Sequence, residues 1–348
     1  MVSNTIVKTP TITVLIPCYN GAKWIDRCFD GLRYQGIENF NIVFCDDKST
    51  DNSLKIAKKW KRIFKNLEIV ENKKNVGLAH VRNILLSHVK TEYFIFLDVD
   101  DVFPEDTLYN LCQPIIDDNK RYDIIVGKIR VCFFNKNQQK IIATPLPASN
   151  NYTKRVHDPR QWLLKNINVG VWGKLINKKY WDSLNFEFLN GKNFEDLVIE
   201  FYMIFEAKEF CAIPISTYIY SRHTGTISAF DRFSQKNFDD FKFQIYALMK
   251  SFENDKRFQN DENKKILSSW FSAISTIIGA WGNICKKRPE TKRAFNKFKL
   301  GFAYRFIYKS KQDVRSPTNW WSCFTHLNFK GLFAKEIRYW KRKLNKKK

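Results

Sequence analysis

The chain has 348 residues, with 59 Lys/Arg against 35 Asp/Glu and a formal net charge of +24. Hydrophobic residues at 44% and aromatics at 16% exclude a disordered chain, and the length suffices for one large α/β domain or two unequal ones. Eight cysteines stand singly, with no Cys-x-x-Cys pair, which argues for packed thiols in a reduced, cytosolic setting.

The charge is unevenly placed. From Trp281 to Lys348 there are 20 Lys/Arg and 3 Asp/Glu, so a polyanionic partner is expected there, either anionic lipid headgroups or nucleic acid. Met1 to Pro10 lacks an apolar core of signal-peptide length, so no export is expected.

In chain order, Thr11 to Pro17 is a β-rich run read as a buried first strand. A turn at Tyr19-Asn20-Gly21 precedes a helical pattern from Ala22 to Leu32. Phe40 to Cys45 is a second strand ending at Asp46-Asp47, and Lys48 to Ser53 supplies capping residues for the next helix. Leu67 to Glu71 reads as a third strand, and Leu78 to Val89 has helical spacing. Tyr93 to Leu97 is an apolar run that ends in Asp98, Asp100 and Asp101. Strands alternating with helices predict βαβ units and a mainly parallel sheet, whose ligands bind beyond the carboxyl ends of the strands. Pro17-Cys18-Tyr19, Asp46-Asp47 and Asp98-Val99-Asp100 all fall at those ends.

Alternate side chains of an extended segment share a face, so Asp98 and Asp100 can converge on one hard cation such as Mg²⁺ or Mn²⁺. Taken alone, an Asp-x-Asp is more often a solvated acidic turn after a strand. Its company on the same edge favours metal–diphosphate binding, with Asp100 the first choice of ligand, then Asp98, and Asp101 behind them.

Further along, Leu108 to Ile116 reads as a helix and Asp123 to Val131 as a strand. Lys136 to Thr153 reads as a hairpin or loop over the same edge, and Gln161 to Asn166 as a helix start. Asn193 to about Ala207 is a helix opening on Glu195-Asp196, where acids also suit the dipole. Ile266 to Cys285 holds no charged residue but many hydroxyls, which favours a buried or interfacial helix over a membrane span. Phe329, Leu332, Phe333, Ile337, Trp340 and Leu344 trace one face of a helix with basic residues elsewhere, the pattern of an in-plane helix on anionic lipid. No nucleic-acid-binding module accompanies the charge, so no nucleic-acid partner is expected.

The segments Val14 to Asn20, Ile42 to Asp51, Asn75 to Ala79, Arg82-Asn83 and Phe96 to Asp101 together resemble the inverting family 2 glycosyltransferases. The match covers roughly the first third of the chain. It departs at Lys48, where the family usually has Gly. The resemblance implies a GT-A fold: a Rossmann-like, mixed but mainly parallel sheet flanked by helices, here with a helical basic C-terminal extension. Residues 1–110 would form the nucleotide-sugar half, 111–230 the acceptor and catalytic half, and 231–348 a membrane-associating region. A UDP-sugar donor would meet Pro17, Tyr19, Asp46 or Asp47, Gly77, Arg82 and Asp98, with Tyr19 able to stack on the base. Asp46-Asp47 also suit helix capping, and Arg82 also suits binding phosphate, locking the acidic edge or lying on a solvated helix face. Asp98 and Asp100 would hold the metal. The Glu195-Asp196 pair implies a catalytic base at Asp196 with Glu195 beside it.

Val169 to Ile176, with Trp172, also resembles the family, where the segment lines the acceptor side; Trp172 equally suits the core. Tyr218, Tyr220, Arg222 and His223 are candidates for acceptor or diphosphate contact, although a histidine near a loop is more often structural than a ligand. Tail, charge and chain size resemble the glycolipid synthases of wall-less bacteria, which implies a diacylglycerol or glycosyldiacylglycerol acceptor at the cytoplasmic side of the cell membrane. Transfer to a surface polysaccharide or lipooligosaccharide is the alternative. A nucleic-acid-binding protein on a degenerate transferase fold is a third reading, opposed by the intact acidic motifs.

Overall fold

The structure is a computed structural model that describes residues 9–134, 140–145, 152–165, 170–191 and 193–223, with short pieces between 236 and 266. The backbone contacts divide the chain into two units, Met1–Phe258 and Gln259–Lys348. The expected basic helix around 329–344 and all of 266–285 except Ile266 lie outside the described residues. No helix among the described residues is long and apolar enough to cross a membrane.

The first unit is built on an eight-stranded sheet. Strands β1 (Ile12–Cys18), β2 (Phe40–Asp46), β3 (Leu67–Glu71) and β4 (Tyr93–Phe96) alternate with helices α1 (Ile25–Gly31), α2 (Ser53–Trp60) and α3 (Leu78–Ser87). Every residue of β1 and β4 is buried, as a parallel strand covered on both faces requires. Phe29 of α1 stacks on Trp60 of α2 at 5.4 Å, and Trp60 Nε1 donates to Asp26 at 2.9 Å, so the indole is buried with its polar end satisfied.

After helix α4 (Thr107–Asp117), strand β5 (Ile124–Phe134) runs long and serves three neighbours. Its first residues pair antiparallel with β7 (Lys174–Asn177), its last with β6 (Lys140–Pro145), and β8 (Phe210–Arg222) lies parallel along its length. Helices α5 (Pro159–Lys165), α6 (Lys178–Ser183) and α7 (Asp196–Glu206) complete the described elements of this half. Of the expected hairpin or loop over 136–153, β6 pairs antiparallel with the end of β5 and most of the rest lies outside the described residues. By contrast, β8 goes beyond the sequence expectation; Pro214 and its Ser/Thr content hide its strand character.

The strand order β3-β2-β1-β4-β7-β5-β6 reverses direction of growth between β1 and β4. Such a switch point leaves a crevice at the carboxyl ends, and the loops after β1, β2 and β4 all open there.

Candidate active site

The three strand tips are tied together by main-chain bonds. Asp47 N–H donates to the Cys18 carbonyl at 2.8 Å, and Leu97 N–H to the Leu15 carbonyl at 3.0 Å. Tyr19 stands 52% exposed at this edge, while Pro17 is buried within β1.

Both acids after β2 are buried, but they do different things. Asp47 accepts from Asn72 Nδ2 at 2.8 Å, Val76 N–H at 2.9 Å and Gly77 N–H at 2.8 Å. It is consumed in holding the loop that enters α3. Asp46 accepts from Ser49 N–H at 3.1 Å through Oδ2, and its buried Oδ1 has no hydrogen-bond partner among the described residues. A buried carboxylate oxygen without a donor is costly, so of the two acids Asp46 is the one that can accept from a ligand. Gly77 sits at φ +88 with open space around its Cα, a conformation other residues resist. Lys48 holds φ +60 at a place where glycine would be unstrained, which accounts for the family preference it departs from.

Arg82 of α3 is the hub. It is buried, and its guanidinium reaches Glu195 Oε1 in a short contact, Asp98 Oδ1 at 3.3 Å and Asp196 Oδ2 at 3.9 Å. The rings of Phe96 and Phe188 flank it at 5.8 and 5.7 Å. Burial works against its charge, but the three carboxylates outweigh burial and hold the guanidinium firmly protonated. Of the roles open to Arg82, the lock on the acidic edge is the one the structure shows. Burial is also the largest influence on Glu195, pushing its carboxyl up to about 7 against the pull of Arg82. Asp98 is likewise raised, by burial first, with Arg82 opposing. Asp196 opens α7 and keeps 16% of its side chain exposed, against 6% for Glu195. Asp196 is therefore the more accessible carboxylate of the pair and the less engaged with Arg82.

The acidic tip after β4 is braced from β8. Asp101 is fully buried, accepting from Tyr218 Oη at 2.7 Å and Ser221 N–H at 2.7 Å. Tyr218 Oη also accepts from Asp98 N–H at 3.3 Å. Burial pushes the Asp101 carboxyl well up, with Asp100 and Asp98 adding to it. Tyr218 itself is fully buried, so the expectation that it contacts the acceptor is corrected: its hydroxyl is spent on Asp98 and Asp101. Tyr220 and Arg222, further along β8, are half-buried.

Asp100 faces the other way, where its Oδ2 lies 2.9 Å from His223 Nε2. The His223 ring stacks on Trp24 at 4.3 Å. Arg27 lies 4.9 and 4.5 Å from the rings of Trp24 and Phe134, donates to Ser221 Oγ at 2.5 Å and also bonds the Asp100 carbonyl. Among the described residues, no three His, Cys, Asp or Glu groups form a ready metal-holding set. Asp98 and Asp100 supply two hard oxygen donors, with the His223 imidazole beside Asp100; that donor chemistry fits Mg²⁺ or Mn²⁺, ions that draw their remaining ligands from phosphate and water.

On the opposite flank, Trp172 is 9% exposed and stacks on Tyr218 at 4.6 Å and on Tyr220 at 5.4 Å. Its segment joins the sheet through Gly173 N–H to the Phe96 carbonyl at 3.0 Å. Trp172 is thus buried in a stack with Tyr218 and Tyr220, of which Tyr220 is the more open ring. Trp24, Arg27, Lys174 and Glu200 escaped the sequence reading. The last two left one usable signal: a lone charge between apolar residues in a strand, matched by another in an apolar helix.

Residues 13–180 match the model of the family Glycosyl transferase family 2. A processive diacylglycerol beta-glycosyltransferase of Mycoplasma genitalium is 28% identical over 221 residues, covering 59% of this chain and 61% of that protein. A protein of the same name from Mycoplasma pneumoniae is 25% identical over 213 residues, covering 59% and 62%. The matched stretch thus spans about three-fifths of the length of these relatives. Among solved structures, S. aureus TarS 1-349 superimposes with a TM-score of 0.58 at 20% identity, covering 87% of this chain and 91% of that one. The same protein has been solved in complex with UDP-GlcNAc, with a TM-score of 0.54 to this chain.

Proposed function

We propose that this glycosyltransferase, which has a GT-A fold and carries a family 2 domain over residues 13–180, moves a hexose with inversion from a UDP-sugar to a membrane lipid such as diacylglycerol. The observation that carries the reading is the Arg82 hub. One guanidinium gathers Asp98 from the strand-tip side and Glu195-Asp196 from the α7 side, which supports a carboxylate base working next to a diphosphate edge. The nucleotide would stack on Tyr19 and donate to the free Oδ1 of Asp46. Asp98 and Asp100 would hold Mg²⁺ or Mn²⁺, which supplies charge neutralisation for the departing diphosphate.

Asp196 takes the proton of the acceptor hydroxyl as that oxygen attacks the anomeric carbon. Glu195, engaged with Arg82, keeps the guanidinium in place and with it the spacing between Asp196 and Asp98. The acceptor reads along the Trp172–Tyr220 shelf. The lipid acceptor is supported by the two mycoplasmal relatives, and the donor type by the UDP-GlcNAc complex of TarS. The basic tail from Trp281 onward would hold the enzyme peripherally on the cytoplasmic face of an anionic membrane.

The test is incubation of the full chain with UDP-glucose or UDP-galactose, Mg²⁺ or Mn²⁺, and vesicles of anionic lipid containing diacylglycerol. Mass spectrometry should find hexosyl-diacylglycerol, and the protein should sediment with the vesicles. UDP release without any glycolipid across both donors would overturn the lipid acceptor.

A further inference from the structure

Two fully buried charges lie outside the chemistry described above. Lys174 of β7 and Glu200 of α7 are 0% and 2% exposed. Their charged ends stand 3.1 Å apart. Burying such a pair is expensive unless each end finds further partners, and here both converge on one residue. Glu200 Oε2 accepts from Gly170 N–H at 3.0 Å, and Lys174 Nζ donates to the Gly170 carbonyl in a short bond. The backbone of Gly170 is gripped from both sides.

Gly170 adopts φ +143, outside the reach of ordinary side chains. A Cβ there would sit 2.2 Å from Trp172 Nε1, so the indole folds directly over the Gly170 backbone. Lys174 Nζ lies 5.9 Å from the Trp172 ring centroid. Glu200 is four residues past Asp196 and therefore on the same face of α7. One helix thus carries the base at its first turn and, one turn later, the anchor of the aromatic shelf.

We propose that the Glu200–Lys174 pair is a positioning device that fixes the Trp172 shelf at a set distance from Asp196, and so sets where an acceptor hydroxyl lies relative to the base. The acceptor part of this inference rests on the proposed function; the anchoring of the loop does not. Neither residue touches substrate. Loss of the pair should loosen the 170–174 loop and weaken acceptor binding, while the nucleotide edge at Asp46 and Tyr19 stays as it is.

The test uses the full chain with three substitutions: Glu200→Gln, Glu200→Ala and Gly170→Ala. Hydrogen–deuterium exchange over 170–177 should rise at least about tenfold in the two Glu200 variants, with no change over 42–46 in β2. Acceptor KM, measured with diacylglycerol vesicles, should rise roughly tenfold in Glu200→Ala and less in Glu200→Gln, which keeps an oxygen for Gly170. UDP affinity by calorimetry should stay within about twofold. Gly170→Ala keeps both charged side chains but strains the φ +143 backbone and displaces the indole, so it should raise acceptor KM by itself. Glu200→Gln, isosteric with the native side chain, guards against a Glu200→Ala variant that does not fold. Unchanged exchange in the folded Glu200 variants, a parallel loss of UDP affinity, or an unchanged acceptor KM in Gly170→Ala would each overturn the proposal. Raised exchange in a protein whose wild type transfers nothing to diacylglycerol would leave the anchor standing and overturn the lipid acceptor instead.

Discussion

The strand-tip side of the site, residues 9–110, and the α7–β8 side, residues 111–223, are built by different means. On the first side the polar contacts are mostly local. Asp47 reaches Asn72, Val76 and Gly77, and Asn20 and Gly21 reach Ser49 and Ser53, all within 32 positions. On the second side, the contacts that tie Glu195 and the acidic tip into place span a large part of the chain: Arg82 to Glu195 is 113 residues, and Tyr218 to Asp101 is 117, while the Gly170 anchor is local. The nucleotide edge is thus a property of a few adjacent loops. The proposed base at Asp196 and the proposed acceptor wall depend on the whole sheet being assembled.

The largest effect should come from cutting the link between the two sides. Arg82→Met leaves Asp98, Glu195 and Asp196 without their buried cation, and removing one member of a buried ion pair costs about 3–5 kcal/mol. Denaturant unfolding should show that loss, with transfer abolished. A stable, active variant would mean the two sides do not depend on this hub.

Next in size is a contrast within the strand-tip side. Asp47→Ala removes the acceptor of two backbone N–H groups and one amide, and should cost stability by about 2–3 kcal/mol. Asp46→Asn should leave stability within about 1 kcal/mol and raise the KM for the UDP-sugar roughly tenfold, as loss of a charged acceptor predicts. Thermal unfolding and initial-rate kinetics on both variants separate the two; reversed effects would swap their assignments.

A third effect belongs to the α7 side. Burial raises Glu195 from 4.5 to about 7, so the folded state binds its proton more tightly than the unfolded chain does. Its contribution to stability is full below about pH 4.5 and is lost as pH rises through 7. Relative to wild type, Glu195→Gln should therefore gain on the order of 1–3 kcal/mol between pH 4.5 and 8, read from denaturant midpoints. A flat difference across that range would place the Glu195 carboxyl near its ordinary value. The smallest effect is Lys48→Gly, which relieves a left-handed residue and should shift stability by less than about 1 kcal/mol.

The same division governs what the sequence discloses. Strands β1 to β4 are legible to within a residue or two, because continuous apolar runs end in acids and turn residues. The acids of the nucleotide edge are legible as a group, yet Asp46 and Asp47 are indistinguishable until the loop at 72–77 shows which one is consumed. On the other side, Asp196 is visible only through its resemblance. Arg82, Asp98 and Glu195 are legible as separate candidates, but that one guanidinium joins them is not, since they meet through tertiary packing. Tyr218 illustrates the limit. Its place beside Tyr220 and Arg222 suggests acceptor or diphosphate contact, whereas the parallel pairing of β5 with β8 buries it against Asp101.

The central claim is that the α7 side supplies the base while the strand-tip side holds the donor. Asp196→Asn tests it most directly, with transfer followed by product mass spectrometry and UDP affinity by calorimetry on the same preparation. The account predicts that transfer falls by at least about a hundredfold while UDP affinity stays within about twofold. Transfer near the wild-type rate would remove Asp196 as the base.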